Sequence, residues 1–169
     1  ENCINSDLAN NFGNLCQRVF TFVKKNCDNK IPKANKLDTK DEKLLNDLKE
    51  NVKNLIAAMD KQNLNEYIKT VVGYSFDANK YFNDSEPWSV KKKDPERMKS
   101  ILFTILEQIK NLSILLNPII PIATGKVLTS MNLSIDDISI KSIINKNVLN
   151  HDKELKNLEI LFKKIENDN

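Results

Sequence analysis

Apolar residues recur at helical spacing in four separate runs of this chain, and that repetition limits the fold more than any other feature. In the first run, Asp7 to Asn26, Leu8, Phe12, Leu15, Val19 and Phe22 follow one another at steps of four, three, four and three. At about 100° per residue they gather into one stripe that must be buried. The same arithmetic puts Asp7, Asn11, Asn14, Arg18 and Thr21 in a polar band roughly 70–150° to one side, bordering the core. Asn14 and Arg18, four residues apart, therefore point the same way.

The second run is opened by Asp38 or Thr39 as a cap and carries Leu45, Leu48, Val52, Leu55 and Met59. Before it, Asp28 to Leu37 holds Pro32 and no apolar period, which predicts a loop. The third run follows Asn63, with Leu64, Ile68, Val71, Ser75, Ala78 and Phe82 on its inner face. Asn83 to Asp94 then interrupts the pattern. There Pro87 precedes Trp88, and Lys91, Lys92 and Lys93 follow.

Asp94-Pro95-Glu96 restarts a helix with a capping residue, a proline at the first helical position and a carboxylate in the first turn. Met98, Ile101, Ile105, Ile109, Leu112 and Leu116 form the fourth stripe, ended by Asn117-Pro118. Four such stripes can close a bundle. Pro121 opens a shorter helix to about Met131, the stretch from Asn132 to Asn150 is irregular, and Leu155, Leu158, Leu161, Phe162 and Ile165 suggest a last helix over Lys153 to Glu166. The expectation is an all-α bundle of four to five main helices plus a C-terminal helix, one domain over 1–169, with 132–169 as an extension packing on the bundle.

Composition agrees: three Gly and five Pro among 169 residues, with 40% hydrophobic and 29% charged, suit a helical domain better than a turn-rich β fold or a disordered chain. No charged, apolar, small-residue leader follows Glu1, which predicts no secretory signal and an excised piece of a longer protein. The most apolar region, Ile101 to Ala123, is broken by Glu107, Gln108, Lys110, Asn111 and Asn117, short of the roughly 18 uninterrupted apolar residues a membrane span needs. A net charge of +3 permits a polyanionic partner without requiring one.

Catalytic and metal patterns do not emerge. Three cysteines make neither a disulfide framework nor a ligand set, and Cys16 and Cys27, eleven residues or about 16 Å apart on one helix, cannot bridge. Reduced cysteines of a cytosolic protein are the expectation. The single His151 lies in a polar run, with no second histidine and no adjacent nucleophile. No glycine-rich phosphate loop occurs.

Binding chemistry is more legible. Trp88 is the only tryptophan, and its flanks, Pro87 and three lysines, favour a rim position over core packing. Asn14 is one of 24 asparagines, and alone it says little. With 24 Lys and two Arg, the chain has drifted toward lysine, so Arg18 stands out as a planar donor fork, although a surface ion pair would explain it too.

The run from Asp7 through Asn14 to Arg18, Tyr81-Phe82, Pro87-Trp88, Asp94-Pro95-Glu96-Arg97, Leu115-Leu116-Asn117-Pro118 and Pro121 resembles, in order and separation, the anticodon-binding domain of bacterial methionyl-tRNA synthetases. Leu161-Phe162 and Ile165-Glu166 resemble the segment that closes this family, with Ile160 and Lys163 where two prolines are usual. The resemblance implies an all-α domain that binds tRNA(Met) through its CAU anticodon. Trp88 would stack on the first base, Asn14 and Arg18 would bond base edges, and Lys91, Lys92 and Lys93 are candidate phosphate contacts. It further implies a cytoplasmic, ATP- and magnesium-dependent ligase whose catalytic domain belongs to the same polypeptide, with no cofactor in this piece and neither membrane nor DNA as a partner. The corresponding domain of an isoleucine, valine, leucine or cysteine enzyme, and a helical protein-interaction bundle, remain the alternatives.

Overall fold

The computed structural model describes residues 2–134, 138–144 and 154–156, and the side chains of residues 8–134, 138–143 and 154–156. It is helical: α1 (Asn2–Asn26), α2 (Thr39–Asp60), α3 (Leu64–Ser85), α4 (Pro87–Val90), α5 (Pro95–Leu116), α6 (Pro121–Ser130) and α7 (Ile140–Ile144). The described residues add a single antiparallel bridge, Lys30 to Glu154, and no strand.

The helix starts follow from side-chain caps. Asp38 Oδ1 accepts from the Lys40 and Asp41 amides at 2.9 and 3.0 Å, while the Asp38 amide donates to Asp41 Oδ2 at 3.0 Å, a reciprocal capping box. Asp94 Oδ1 accepts from the Arg97 amide at 3.0 Å, with Pro95 in the first turn. Three boundaries differ from the sequence expectation. Helix α1 begins at Asn2 rather than Asp7, because the weak propensities of its first residues are overridden by the longer helix. Helix α3 continues to Ser85, and the expected interruption contains α4. The inner face of α3 starts at buried Tyr67, whereas Leu64, in its first turn, is exposed.

Helix α5 is the axle. It packs against every other helix, and each residue from Ser100 to Leu116 is buried. The sequence reading gave it one apolar stripe; burial around its whole circumference brings its polar residues inside as well. Some are satisfied locally: Lys110, fully buried, pairs with Glu107 one turn back and donates to the Ser142 carbonyl of α7 at 2.7 Å, whereas Gln108 Nε2 and Asn111 Oδ1 meet no hydrogen-bond partner among the described residues. Burial lowers the Lys110 pKa from 10.5 against the opposing pull of Glu107.

A second polar knot ties three helices together. Asp41 of α2, with no exposed surface, accepts from Tyr81 Oη of α3 and from both terminal nitrogens of Arg97 of α5. Arg97 also reaches Asp38 at 2.9 Å. Burial acts to raise the Asp41 pKa, but the bonds from Arg97 and Tyr81 outweigh it and hold the carboxyl below its ordinary 3.8.

The C-terminal region meets the bundle at several described points. Ile138, Ile143 and Leu155 are buried, and the Leu155 amide donates to the Asn29 carbonyl at 2.8 Å. Residues 154–156 form a short extended strap, with the Lys156 amide on the Ser130 carbonyl at 2.9 Å, rather than the first turn of the helix expected from Lys153. The remainder of that segment, and His151, lie outside the described residues. Helix α7 falls in the stretch read as irregular; five residues are too few to show a period.

Candidate nucleic-acid interface

Helices α1 and α3 run side by side, and their shared border sorts the polar band of α1 into two kinds of residue. Asn11 is half-buried and accepts from Ser75 Oγ at 2.8 Å and Asn79 Nδ2 at 3.1 Å. It is therefore committed to packing. Asn14 and Arg18, further along, are exposed.

Arg18 does not hang free. Its Nη2 donates to Asn83 Oδ1 of α3 at 2.5 Å, and its Cζ lies 5.1 Å from the centroid of the Phe82 ring. The aromatic face and the amide fix the plane of the guanidinium, and the Asn83 bond uses one of its five N–H donors. Phe82 is itself buried and supports Trp88, with ring centroids 5.7 Å apart and planes at 77°. That edge-to-face contact leaves 38% of Trp88 exposed.

Trp88 owes its position to the turn before it. Glu86 ends α3 and starts α4 in the left-handed conformation, φ 45° and ψ 58°, which breaks the helix direction between Phe82 and Trp88. Pro87 follows at the first position of α4 and is buried, so it anchors the turn while Trp88 faces outward.

Arg18 and Trp88 line one groove of about 420 Å³, with Gln17, Thr21, Phe22 and Lys25 along α1 and Phe82 at its base. Arg18 and Trp88, seventy residues apart in sequence, thus line the same groove; Asn14 lies one helical turn away and is not part of the groove lining. Phe22, assigned to the buried stripe, is half-buried here because the last turns of α1 pass along the open edge of the bundle. Lys25 was missed. Its signal was available, since it continues the band of Asn14, Arg18 and Thr21 at the next step of four.

The three lysines after Trp88 occupy a turn between α4 and α5 and are exposed. Lys91 is held in place: its ammonium donates to Asn26 Oδ1 at 3.1 Å and lies 5.8 Å from the Phe22 ring centroid. Cys16 is buried, which raises its thiol pKa far above the ordinary value, and Cys16 and Cys27 are both unbridged. Among the described residues no group of three or more His, Cys, Asp and Glu side chains could hold a metal ion, and no helix is long and apolar enough to cross a membrane.

An aromatic groove, a fixed guanidinium and nearby ammonium groups form a surface suited to single-stranded nucleic acid. Comparison with known proteins agrees with that chemistry. Residues 31–169 match the family described as the anticodon binding domain of methionyl tRNA ligase, a match that includes Trp88 and the lysines and begins after α1. Relatives extend the likeness through α1. The methionine–tRNA ligase of Rickettsia felis is 32% identical over 168 residues, covering 98% of this chain and 33% of that protein. That of Rhizobium meliloti is 34% identical over 125 residues, covering 74% of this chain and 24% of the protein. The chain thus spans about a third or less of the length of these relatives. In the solved apo structure of Mycobacterium tuberculosis methionyl-tRNA synthetase, a region covering 91% of this chain and 32% of that one superposes with a TM-score of 0.81 at 27% identity. The same enzyme in complex with methionyl-adenylate gives 0.82 at 28% identity, covering 91% of this chain and 31% of that one. With its sequence and its helical fold both in agreement, the chain belongs to the family of methionyl-tRNA ligase anticodon-binding domains.

Proposed function

We propose that this chain is the tRNA-binding portion of a cytoplasmic methionine–tRNA ligase and selects tRNA(Met) by its CAU anticodon. The observation that carries the reading is the meeting of Arg18 and Trp88 on either side of Phe82, along one groove. In it, the first anticodon base stacks on the exposed face of Trp88. Arg18 donates to base edges with the N–H groups that Asn83 leaves to it, and Asn14, one turn on, offers both a donor and an acceptor to a neighbouring base. Lys91, Lys92 and Lys93 contact phosphates, which adds affinity without sequence preference.

Chain 1–169 acts as one domain in this proposal, with 132–169 as the extension on the bundle; the burial of Ile138, Ile143 and Leu155 supports it. Ligation of methionine with ATP and magnesium belongs to a catalytic domain of the same polypeptide.

Binding measurements test the reading. Stem-loops carrying CAU and loops with the anticodons of isoleucine, valine, leucine and cysteine tRNAs are titrated against the chain at one stated salt concentration. Preference for CAU by tenfold or more supports the methionine assignment. A preference for another of these anticodons transfers the domain to that specificity, and binding without preference, or none, points to a protein-interaction bundle with Trp88 as an anchor. Trp88→Ala is expected to cost about 1–3 kcal/mol of binding to any loop, because stacking is tolerant of base identity.

A further inference from the structure

The groove has two ends of different chemistry. Arg18 stands at one, fixed by Phe82 and Asn83. Phe22 stands one turn along α1, with the Lys91 ammonium over its ring and Lys25 lining the same groove. Lys25 lines the groove from the last turn of α1, where the helix C-terminus favours positive charge. Lys91 arrives from the turn after α4 and is held over the Phe22 ring by Asn26, whose own side-chain Nδ2 donates to the Phe22 carbonyl at 2.9 Å. The ammonium of Lys91 is thus held beside the groove by groups of the chain itself, which cuts the entropy lost when an anion binds.

We infer that Lys25 and Lys91 form a clamp for the backbone phosphate adjoining the base stacked on Trp88, so that the groove takes a whole nucleotide in one direction. This rests on the proposed anticodon role of the groove. A nucleotide is a flat apolar base joined to a negative charge, and the groove matches it part by part. Trp88, Phe82 and Phe22 supply the apolar surface, Arg18 the edge donors, and the two ammonium groups a pole for the phosphate. The ends are not interchangeable, since a guanidinium committed to Phe82 and Asn83 presents a planar fork to a base edge, whereas two ammonium groups suit a phosphate approached from several directions. The clamp therefore sets the polarity of the strand, and with it which neighbouring base is carried toward Asn14.

Salt titration of binding separates this clamp from general charge attraction. Lys25→Gln, Lys91→Gln and, as a control, Lys53→Gln on the exposed surface of α2 are titrated with the CAU stem-loop and with a loop altered at its first anticodon base. Circular dichroism checks that helicity is unchanged. For Lys25→Gln and Lys91→Gln, the slope of log affinity against log salt is expected to shrink by about 0.7 each, the value for one contact to a single strand, with equal losses on both loops. A loop with an uncharged methylphosphonate at the linkage beside the first anticodon base should erase both effects. Slopes equal to that of the Lys53→Gln control, or losses that persist on the methylphosphonate loop, overturn the clamp while leaving CAU preference standing. Loss of CAU preference in the unaltered chain, with the slope changes and their dependence on the linkage intact, rejects the anticodon reading and leaves a phosphate site for single strands. Absence of binding to every loop rejects both.

Discussion

Arg97 and Arg18, the two arginines of the chain, share a side chain and differ in everything placed around it. Arg97 is mostly covered and meets carboxylates: both its terminal nitrogens reach the fully buried Asp41, and Asp38 takes a further contact at 2.9 Å. Its donors are spent on holding α2, α3 and α5 together through Asp41 and its partner Tyr81. Arg18 is exposed and meets an amide and a ring, groups that orient a guanidinium without neutralising it. Among the described residues Arg18 meets no carboxylate, so its planar fork keeps donors to spare. In a chain with 24 lysines the two arginines thus stand in two different settings, Arg97 bound to buried carboxylates and Arg18, the residue proposed to meet a base, on the surface against an amide and a ring.

Removing each arginine should separate stability from recognition. Arg97→Ala strands the Asp41 carboxylate in the interior and is expected to cost about 3 kcal/mol in chemical denaturation, near the low end for a broken buried pair. Below its lowered midpoint the variant keeps its preference for CAU. Loss of that preference in a fully folded variant would show that the two sites are one.

Acid probes the same knot without mutation. Because the folded-state pKa of Asp41 lies below 3.8, its contribution is complete above that value and drains away as pH falls through the folded-state pKa. Asp41→Asn should flatten this part of the stability profile below about pH 4, in denaturation measured from pH 6 downward. An unchanged acid limb would place the acid-sensitive contacts elsewhere.

Arg18→Ala reverses the pattern. Stability should move by no more than about 0.5 kcal/mol, as for a surface substitution, while affinity for the CAU loop falls about 10- to 100-fold, the range for hydrogen bonds to a charged donor. Equal losses on altered loops would reduce Arg18 to a source of charge. Asn83→Ala has the smallest expected effect: it frees the guanidinium to rotate and should weaken CAU binding about fivefold, roughly the worth of one ordinary hydrogen bond. Addition of Arg18→Ala to Asn83→Ala should then cost little beyond Arg18→Ala alone.

How much of this was readable from the chain depends on distance in sequence. Local rules carried the caps of α2 and α5, because Asp38 with Asp41 and Asp94 with Pro95 are complete signals within four residues. Trp88 at a rim was legible from Pro87 on one side and lysines on the other. The partners of Arg18 were not, since Asn83 lies 65 residues away and no local period connects them. Helix α5 hid its full burial behind Glu107 and Lys110, which look solvated until the pairing with each other and the Ser142 carbonyl is seen. Phe22 misled for a related reason: periodicity gives the direction in which a side chain points but not where the bundle ends.

The most direct measurement uses Trp88, the only tryptophan, as its own reporter. Its fluorescence is followed while the chain is titrated with a CAU stem-loop and with one altered at the first anticodon base, at a single stated salt concentration. Quenching that saturates with CAU, and needs at least tenfold more of the altered loop, is the expected result, and it places the ring against the first anticodon base. Saturable binding of the CAU loop by an independent measure, with the Trp88 emission unmoved, would contradict the groove as the anticodon site.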